Sequence, residues 1–161
     1  MRGRGYTLLE ILIVIAVLAI LLGMGFTTYL KARRRAQVRD AITILVTTLR
    51  EARSAAQRFN VNVQVRFPSN REYQLEVVTP GSAPVRSYKR VIPPYLELDY
   101  SHDAITWKKP AGFRIRYYAP FGETRVMPAL FRVRHKQDPG LSACLRIISV
   151  TGKVVIARAC P

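Results

Sequence analysis

Residues 6–30 read YTLLEILIVIAVLAILLGMGFTTYL, and the reading of this stretch organises the rest of the chain. From Ile11 to Phe26 no side chain is charged or strongly polar, and the wider run of 25 residues is interrupted only by Glu10. At a rise of about 1.5 Å per residue, a helix of this length crosses a hydrocarbon layer of about 30 Å. A cleaved secretory signal has a shorter apolar region followed by small residues at its cut site. No such site follows here at a suitable distance, so the segment is expected to stay attached. Glu10 is the anomaly, because a carboxylate at the start of a membrane helix costs roughly 3 kcal/mol unless it reaches the interface or a cation. Two readings stand: a glutamate snorkelling to the interface, or a carboxylate placed for a positive partner.

Ahead of the run lies a short basic stretch, Met1-Arg2-Gly3-Arg4-Gly5. With it, Gly5-Tyr6-Thr7-Leu8-Leu9-Glu10 resembles the prepilin peptidase recognition motif of type IV pilins and pseudopilins. That motif is a basic leader ending in Gly, an aromatic residue, Thr-Leu-(Leu/Ile)-Glu, and then an apolar helix. The resemblance implies that the prepilin peptidase cuts the Gly5–Tyr6 bond on the cytoplasmic side of the inner membrane. Tyr6 then becomes the N-methylated first residue and Glu10 the fifth. In the family this carboxylate pairs with the N-terminal amine of a neighbouring subunit inside the filament. The chemistry is coherent, since a buried carboxylate needs a cation and the new terminus supplies one. Tyr6, where Phe is commoner, is a mild departure. The expected organisation is a leader at residues 1–5, a transmembrane and assembly helix at 6–30, and a periplasmic globular domain at 31–161.

Charge sets a further bound. The chain carries 26 Lys and Arg against 10 Asp and Glu, a net +16. Residues 31–161 alone hold 24 against nine, a net +15, which attracts nucleic acid, anionic lipid or acidic partners without choosing among them. A basic but functionally neutral surface is the competing explanation. Lys31, Arg33, Arg34, Arg35 and Arg39 follow the anchor, and counting positive charges alone would put them in the cytoplasm. The leader must meet a cytoplasmic peptidase, and two cysteines suit an oxidising compartment. On those grounds the C-terminal side is placed in the periplasm.

No proline occurs between Met1 and Phe67, and helical periodicity continues beyond the membrane run. Val38, Ile42, Leu45, Leu49, Ala52, Ala56 and Phe59 recur every three or four residues as one apolar stripe, with Thr43, Arg50, Ser54 and Gln57 elsewhere. The pattern predicts one helix over about 6–59, its continuation 31–59 packing under a sheet, with Asn60 as the stop. Gly23 and Gly25 would let the membrane half bend, or serve close helix packing. Within 60–161 the period becomes two. Val61, Val63, Val65 and Phe67 alternate with Asn62, Gln64 and Arg66 as a half-buried strand. Further strands are expected at 73–78, 85–92, 96–100, 113–118 and 130–135, separated by turns. The fold class is α+β and pilin-like: a long N-terminal helix on an antiparallel sheet that ends in a disulfide-closed hairpin.

The segment Leu49-Arg50-Glu51-Ala52-Arg53-Ser54-Ala55-Ala56, the strand and Pro120-Phe121-Gly122 at 113–122, and the C-terminal Cys144…Cys160 stretch resemble the GspH/FimT branch of pseudopilins and minor pilins. Residues 80–110 match no pattern of that branch. Cys144 and Cys160 are equidistant from Gly152. If Thr151-Gly152-Lys153 is the hairpin loop, Ile148 faces Ile156, Arg146 faces Arg158, and Cys144 meets Cys160 across the strands. Two free buried thiols are the alternative. The pairing also sets two arginines opposite each other, and a shift of one residue would separate them.

Arginines alternate along two strands. Arg114 and Arg116 share one face of 113–118, and Arg132, Arg134 and Lys136 share one face of 130–136. In a single sheet these five cations would form a row able to track phosphates; a solvated outer face is the plainer reading. Some FimT-like minor pilins bind DNA through basic C-terminal elements, so Arg146, Lys153 and Arg158 join the candidates for DNA or anion binding. The family's Gly-Arg-x-Arg element is replaced here by Gly152-Lys153-Val154-Val155.

No enzyme motif is found. His102 and His135 are the only histidines, and there is no phosphate-cradling glycine loop and no metal-ligand spacing. Ser101, His102 and Asp103 are adjacent and cannot converge as a nucleophilic triad does. The chain is expected to be no enzyme, to need no cofactor or metal, and to be a substrate of the peptidase. Its expected partners are other pilins, the assembly platform, the inner membrane and, as a candidate, DNA. The expected role is a minor pilin or pseudopilin in a type IV pilus-like filament for DNA uptake or twitching. A type II secretion pseudopilin is the alternative, and an ordinary signal-anchored protein the third reading.

Overall fold

The computed structural model describes residues 7–79, 81, 85–125, 129–148, 150–157 and 160. Among the expected site residues, Gly5, Tyr6 and Arg158 lie outside the described residues. The chain divides into two compact units, Met1–Ala36 and Gln37–Pro161.

Helix α1 (Leu8–Phe59) is unbroken through Gly23 and into the second unit. Thr7 begins it: its Oγ1 and its carbonyl oxygen both accept from the Glu10 amide, at 3.3 and 3.1 Å. Thr-x-x-Glu is the capping-box spacing, and it places an acidic residue in the first turn, where the helix dipole favours it. The apolar stripe falls as expected from Val38 to Ala56, with Val46 added to it. Ala52 and Ala56, both 0% exposed, let the strands approach the helix axis closely. Phe59 is a correction: it is 67% exposed and lies under the Arg58 guanidinium, not in the core. The helix stops one residue later because Asn60 adopts φ 53°, a left-handed conformation that asparagine tolerates better than most residues.

The expected strands are present, but in two sheets. The first contains β1 (Asn62–Ser69), β2 (Glu72–Val78), β3 (Val85–Val91), β5 (Arg114–Tyr118) and the short β6 (Glu123–Thr124), in the order β3-β2-β1-β5-β6. The second contains β4 (Leu96–Ser101), β7 (Ala129–His135), β8 (Asp138–Ile148) and β9 (Lys153–Ala157), in the order β4-β7-β8-β9. Every pairing is antiparallel. One core joins the sheets and the helix. Phe67 of β1 stacks on Phe131 of β7 with ring centroids 5.5 Å apart, and Phe113 packs against both.

Strand β1 departs from simple alternation. Val63, Val65 and Phe67 are buried as expected, yet Gln64 on the opposite face is only 3% exposed. Gln64 Nε2 donates to Glu76 Oε2 at 2.6 Å, and Arg116 Nη2 donates to Gln64 Oε1 at 3.3 Å. Flanking strands carry these long side chains over the central one, so its outer face is buried by polar neighbours.

The C-terminal hairpin corrects the expected register. Cys144 is opposite Ala157, Arg146 opposite Val155, Ile147 opposite Val154 and Ile148 opposite Lys153. The connection spans residues 149–152, with Gly152 its last residue and not its centre. This register buries Ile147 and Val154 together and removes the expected arginine pair. Cys144 and Cys160 form the disulfide all the same, with Cα atoms 5.3 Å apart.

Candidate functional site

Glu10 lies in the first turn of α1, exposed beside a shallow apolar hollow lined by Ile11, Val14 and Ile15. Leu8, at 82%, and the described large side chains that follow, to Phe26 at 62%, are open too. Exposed apolar side chains in such number mark a membrane or protein contact. The helix is long and apolar enough to cross a membrane, by length and composition. The Thr7-to-Glu10 spacing that makes this cap is legible in the sequence itself.

The five-cation row expected from β5 and β7 is not assembled. Arg114 and Arg116 belong to the first sheet, Arg132 and Arg134 to the second, and Lys136 lies in the turn between β7 and β8, where its amide donates to the Tyr95 carbonyl at 3.0 Å. Alternation along a strand sets which face a side chain takes, but not which sheet the strand joins.

The two halves of the row also differ in chemistry. On the second sheet, Asp99 pairs in register with Arg132 and Glu97 with Arg134. Arg132 Nη2 is 3.3 Å from Asp99 Oδ2, and Arg134 Nη2 is 2.8 Å from Glu97 Oε2. Lys109 adds a third cation, with Nζ 2.9 Å from Asp99 Oδ1. Trp107 covers the cluster, its ring centroid 3.9 Å from the Arg132 guanidinium carbon. Burial alone would raise the Glu97 carboxyl, but the Lys109 ammonium and the Arg134 guanidinium outweigh it and hold it below its ordinary range. Through Trp107 and Lys109, residues 102–110 thus fasten a loop over this sheet. Within that loop the Thr106 amide, the Ser101 hydroxyl and the Ile105 amide all donate to Asp103, holding its carboxyl well below its usual range. This is a turn built on a carboxylate.

On the first sheet the arginines meet few acids. Arg114 is opposite Arg66, a residue the sequence reading had not singled out, and Arg116 is opposite Gln64. The nearby carboxylate is Glu76, 1% exposed, with Oε1 4.0 Å from Arg66 Nη1. Arg146 and Lys153 are exposed on the C-terminal hairpin.

Residues 1–26 match the family model for the prokaryotic N-terminal methylation motif. A comparison with curated protein sequences gives no match. Among solved structures, the chain is similar to the minor pseudopilin EpsH from the type 2 secretion system of Vibrio cholerae, with a TM-score of 0.62 and 13% identity over 76% of this chain and 97% of that one. It is also similar to the type IV minor pilin FimU of Pseudomonas aeruginosa, with a TM-score of 0.59 and 16% identity over 79% of this chain and 97% of that one. At these identities the likeness carries the fold. The chain thus carries the methylation motif at its N-terminus and shares the fold of a minor pseudopilin and a minor pilin.

Proposed function

We propose that this protein is a minor pilin or pseudopilin, cut at Gly5–Tyr6 by a prepilin peptidase, methylated on Tyr6 and assembled into a type IV pilus-like filament. One observation carries the reading: a methylation motif on residues 1–26 stands in the same chain as a pilin-type globular fold. Before assembly the apolar helix 6–30 anchors the subunit in the inner membrane, with residues 31–161 in the periplasm. The Cys144–Cys160 disulfide supports that orientation, because such bonds persist in oxidising compartments. Glu10 receives the N-terminal amine of a neighbouring subunit, which exchanges lipid for helix contacts around the exposed apolar face.

Mass spectrometry of the mature N-terminus tests the processing step. Methylated Tyr6 is the expected terminus in cells that hold the peptidase, and intact Met1 there overturns the reading. A Glu10→Val variant should still be processed, remain in the membrane and fail to enter filaments.

DNA uptake is the use we favour within this class, on account of Arg66, Arg114 and Arg116 on the outer face of the first sheet. Gel shifts with the full chain in detergent micelles test it. Affinity should fall steeply with salt and with Arg114→Glu or Arg116→Glu; absence of binding at low salt removes DNA from the reading. A type II secretion pseudopilus is the second reading, favoured by the likeness to a pseudopilin of such a system. Loss of protein secretion without loss of transformation in a deletion strain would establish it instead.

A further inference from the structure

A cleft of about 350 Å³ lies where the end of α1 meets the β8–β9 hairpin, lined by Arg50, Arg53, Ser54, Gln57 and Lys153 around Gly152. Its chemistry is one-sided. Arg50 and Arg53 are three residues apart and share a helix face, where like charges oppose one another. Lys153, the first residue of β9, brings a third cation. No carboxylate is among the described residues of the lining.

The cations are also poorly served by the protein itself. Arg50 Nη2 has a long contact to the Val154 carbonyl at 3.4 Å. Arg53 Nε is buried and has no hydrogen-bond acceptor among the described residues. Its aliphatic stem is pinned, because a Cβ on Gly122 would lie 2.8 Å from Arg53 Cγ. Gly152 is pressed onto the Tyr117 ring in the same way, 2.8 Å from a Cβ position to Cε1, and both glycines have positive φ, 65° and 66°. Two tight turns thus fix the Arg53 stem and the backbone just before Lys153 at the edge of one cleft. The cluster on the second sheet shows what this chain does when cations converge for packing alone: it supplies Asp99 and Glu97.

We infer that this cleft binds a phosphate-class oxyanion. A carboxylate would bring one negative charge to three cations. A phosphate group brings up to two, with three acceptor oxygens that Arg53, Arg50, Lys153 and the Ser54 hydroxyl can share. The inference does not depend on the filament reading, since it concerns a site within the globular unit.

Isothermal titration of the full chain in phosphate-free maltoside micelles with inorganic pyrophosphate, at constant ionic strength, tests the site. Saturable 1:1 binding is expected, weakened at least tenfold by Arg53→Gln and by Lys153→Gln but less than twofold by Arg114→Gln. Lys153 is exposed, so Lys153→Gln keeps the fold and the test stands even if Arg53→Gln unfolds. No saturable binding, or equal weakening by all three variants, overturns the inference. A twelve-nucleotide single strand added to the loaded protein identifies the source. Displacement of pyrophosphate assigns the cleft to a phosphodiester chain, and retention assigns it to a free phosphate compound; either result upholds the oxyanion site.

Discussion

Asp99 is the residue on which the second sheet's outer face depends. It is 3% exposed and contacts Arg132, Arg134 and Lys109 at once. Removing its charge leaves three cations facing Glu97 alone. Breaking a buried pair by removing one partner costs about 3–5 kcal/mol. Asp99→Asn should therefore lower the unfolding free energy by about 3 kcal/mol in chemical denaturation, since Lys109 is half exposed and recovers water. Glu97 adds a pH dependence of definite sign. Its carboxyl titrates below the ordinary 4.5 in the folded chain, so its contribution is present above that value and is lost as pH falls through the lowered one. The stability difference between wild type and Glu97→Gln should be about 1 kcal/mol at neutral pH and vanish in acid. A difference that persists unchanged in acid would show that the pairing is not electrostatic.

Elements were legible where local chemistry determines them. Asn60 ended the helix because asparagine accepts the left-handed conformation, and the Val63-Val65-Phe67 alternation marked a core strand. The partner of each strand was not legible. Nothing in the alternation of Arg114 and Arg132 says that β5 joins β1 while β7 joins β4 and β8. The burial of Gln64 escaped for the same reason, because the neighbours covering it come from β2 and β5. In the hairpin, Gly152 marked the turn but not its centre, and a four-residue connection moved every pair. Two predictions belong to this element. Reducing the Cys144–Cys160 bond, or replacing both residues with Ser, should cost about 3 kcal/mol in the chain-entropy picture for a loop of this length, measured by denaturation with and without reductant. Gly152→Ala should cost about 2 kcal/mol or more, because the new methyl meets the Tyr117 ring and the Gly122 carbonyl at a positive φ. An unchanged midpoint for Gly152→Ala would mean that the turn relaxes away from the ring.

For the molecule as a whole, a net charge of +16 overstates the uniformity of its surface. The arginines of β7 are tied to carboxylates and capped by an indole, whereas those of β5 and the cleft beside Gly152 have no such partners among the described residues. Neutralising the first group should cost stability and leave polyanion affinity nearly unchanged. Neutralising Arg66, Arg114 and Arg116 should do the reverse, lowering the slope of log affinity against log salt by up to about one per phosphate contact removed. Gel shifts and denaturation curves on the same variants separate the two groups.

The disulfide has one more consequence, for how the protein survives injury. Cys144 and Cys160 bracket the turn at Val150-Thr151-Gly152, whose first two residues stand exposed between β8 and β9. A protease that cuts at Thr151 divides the backbone but leaves both pieces covalently joined, each strand still paired with its partner. Such nicked subunits would travel as one species until a reductant parts them. The bond is therefore a repair made in advance, at a turn whose backbone is open to being severed.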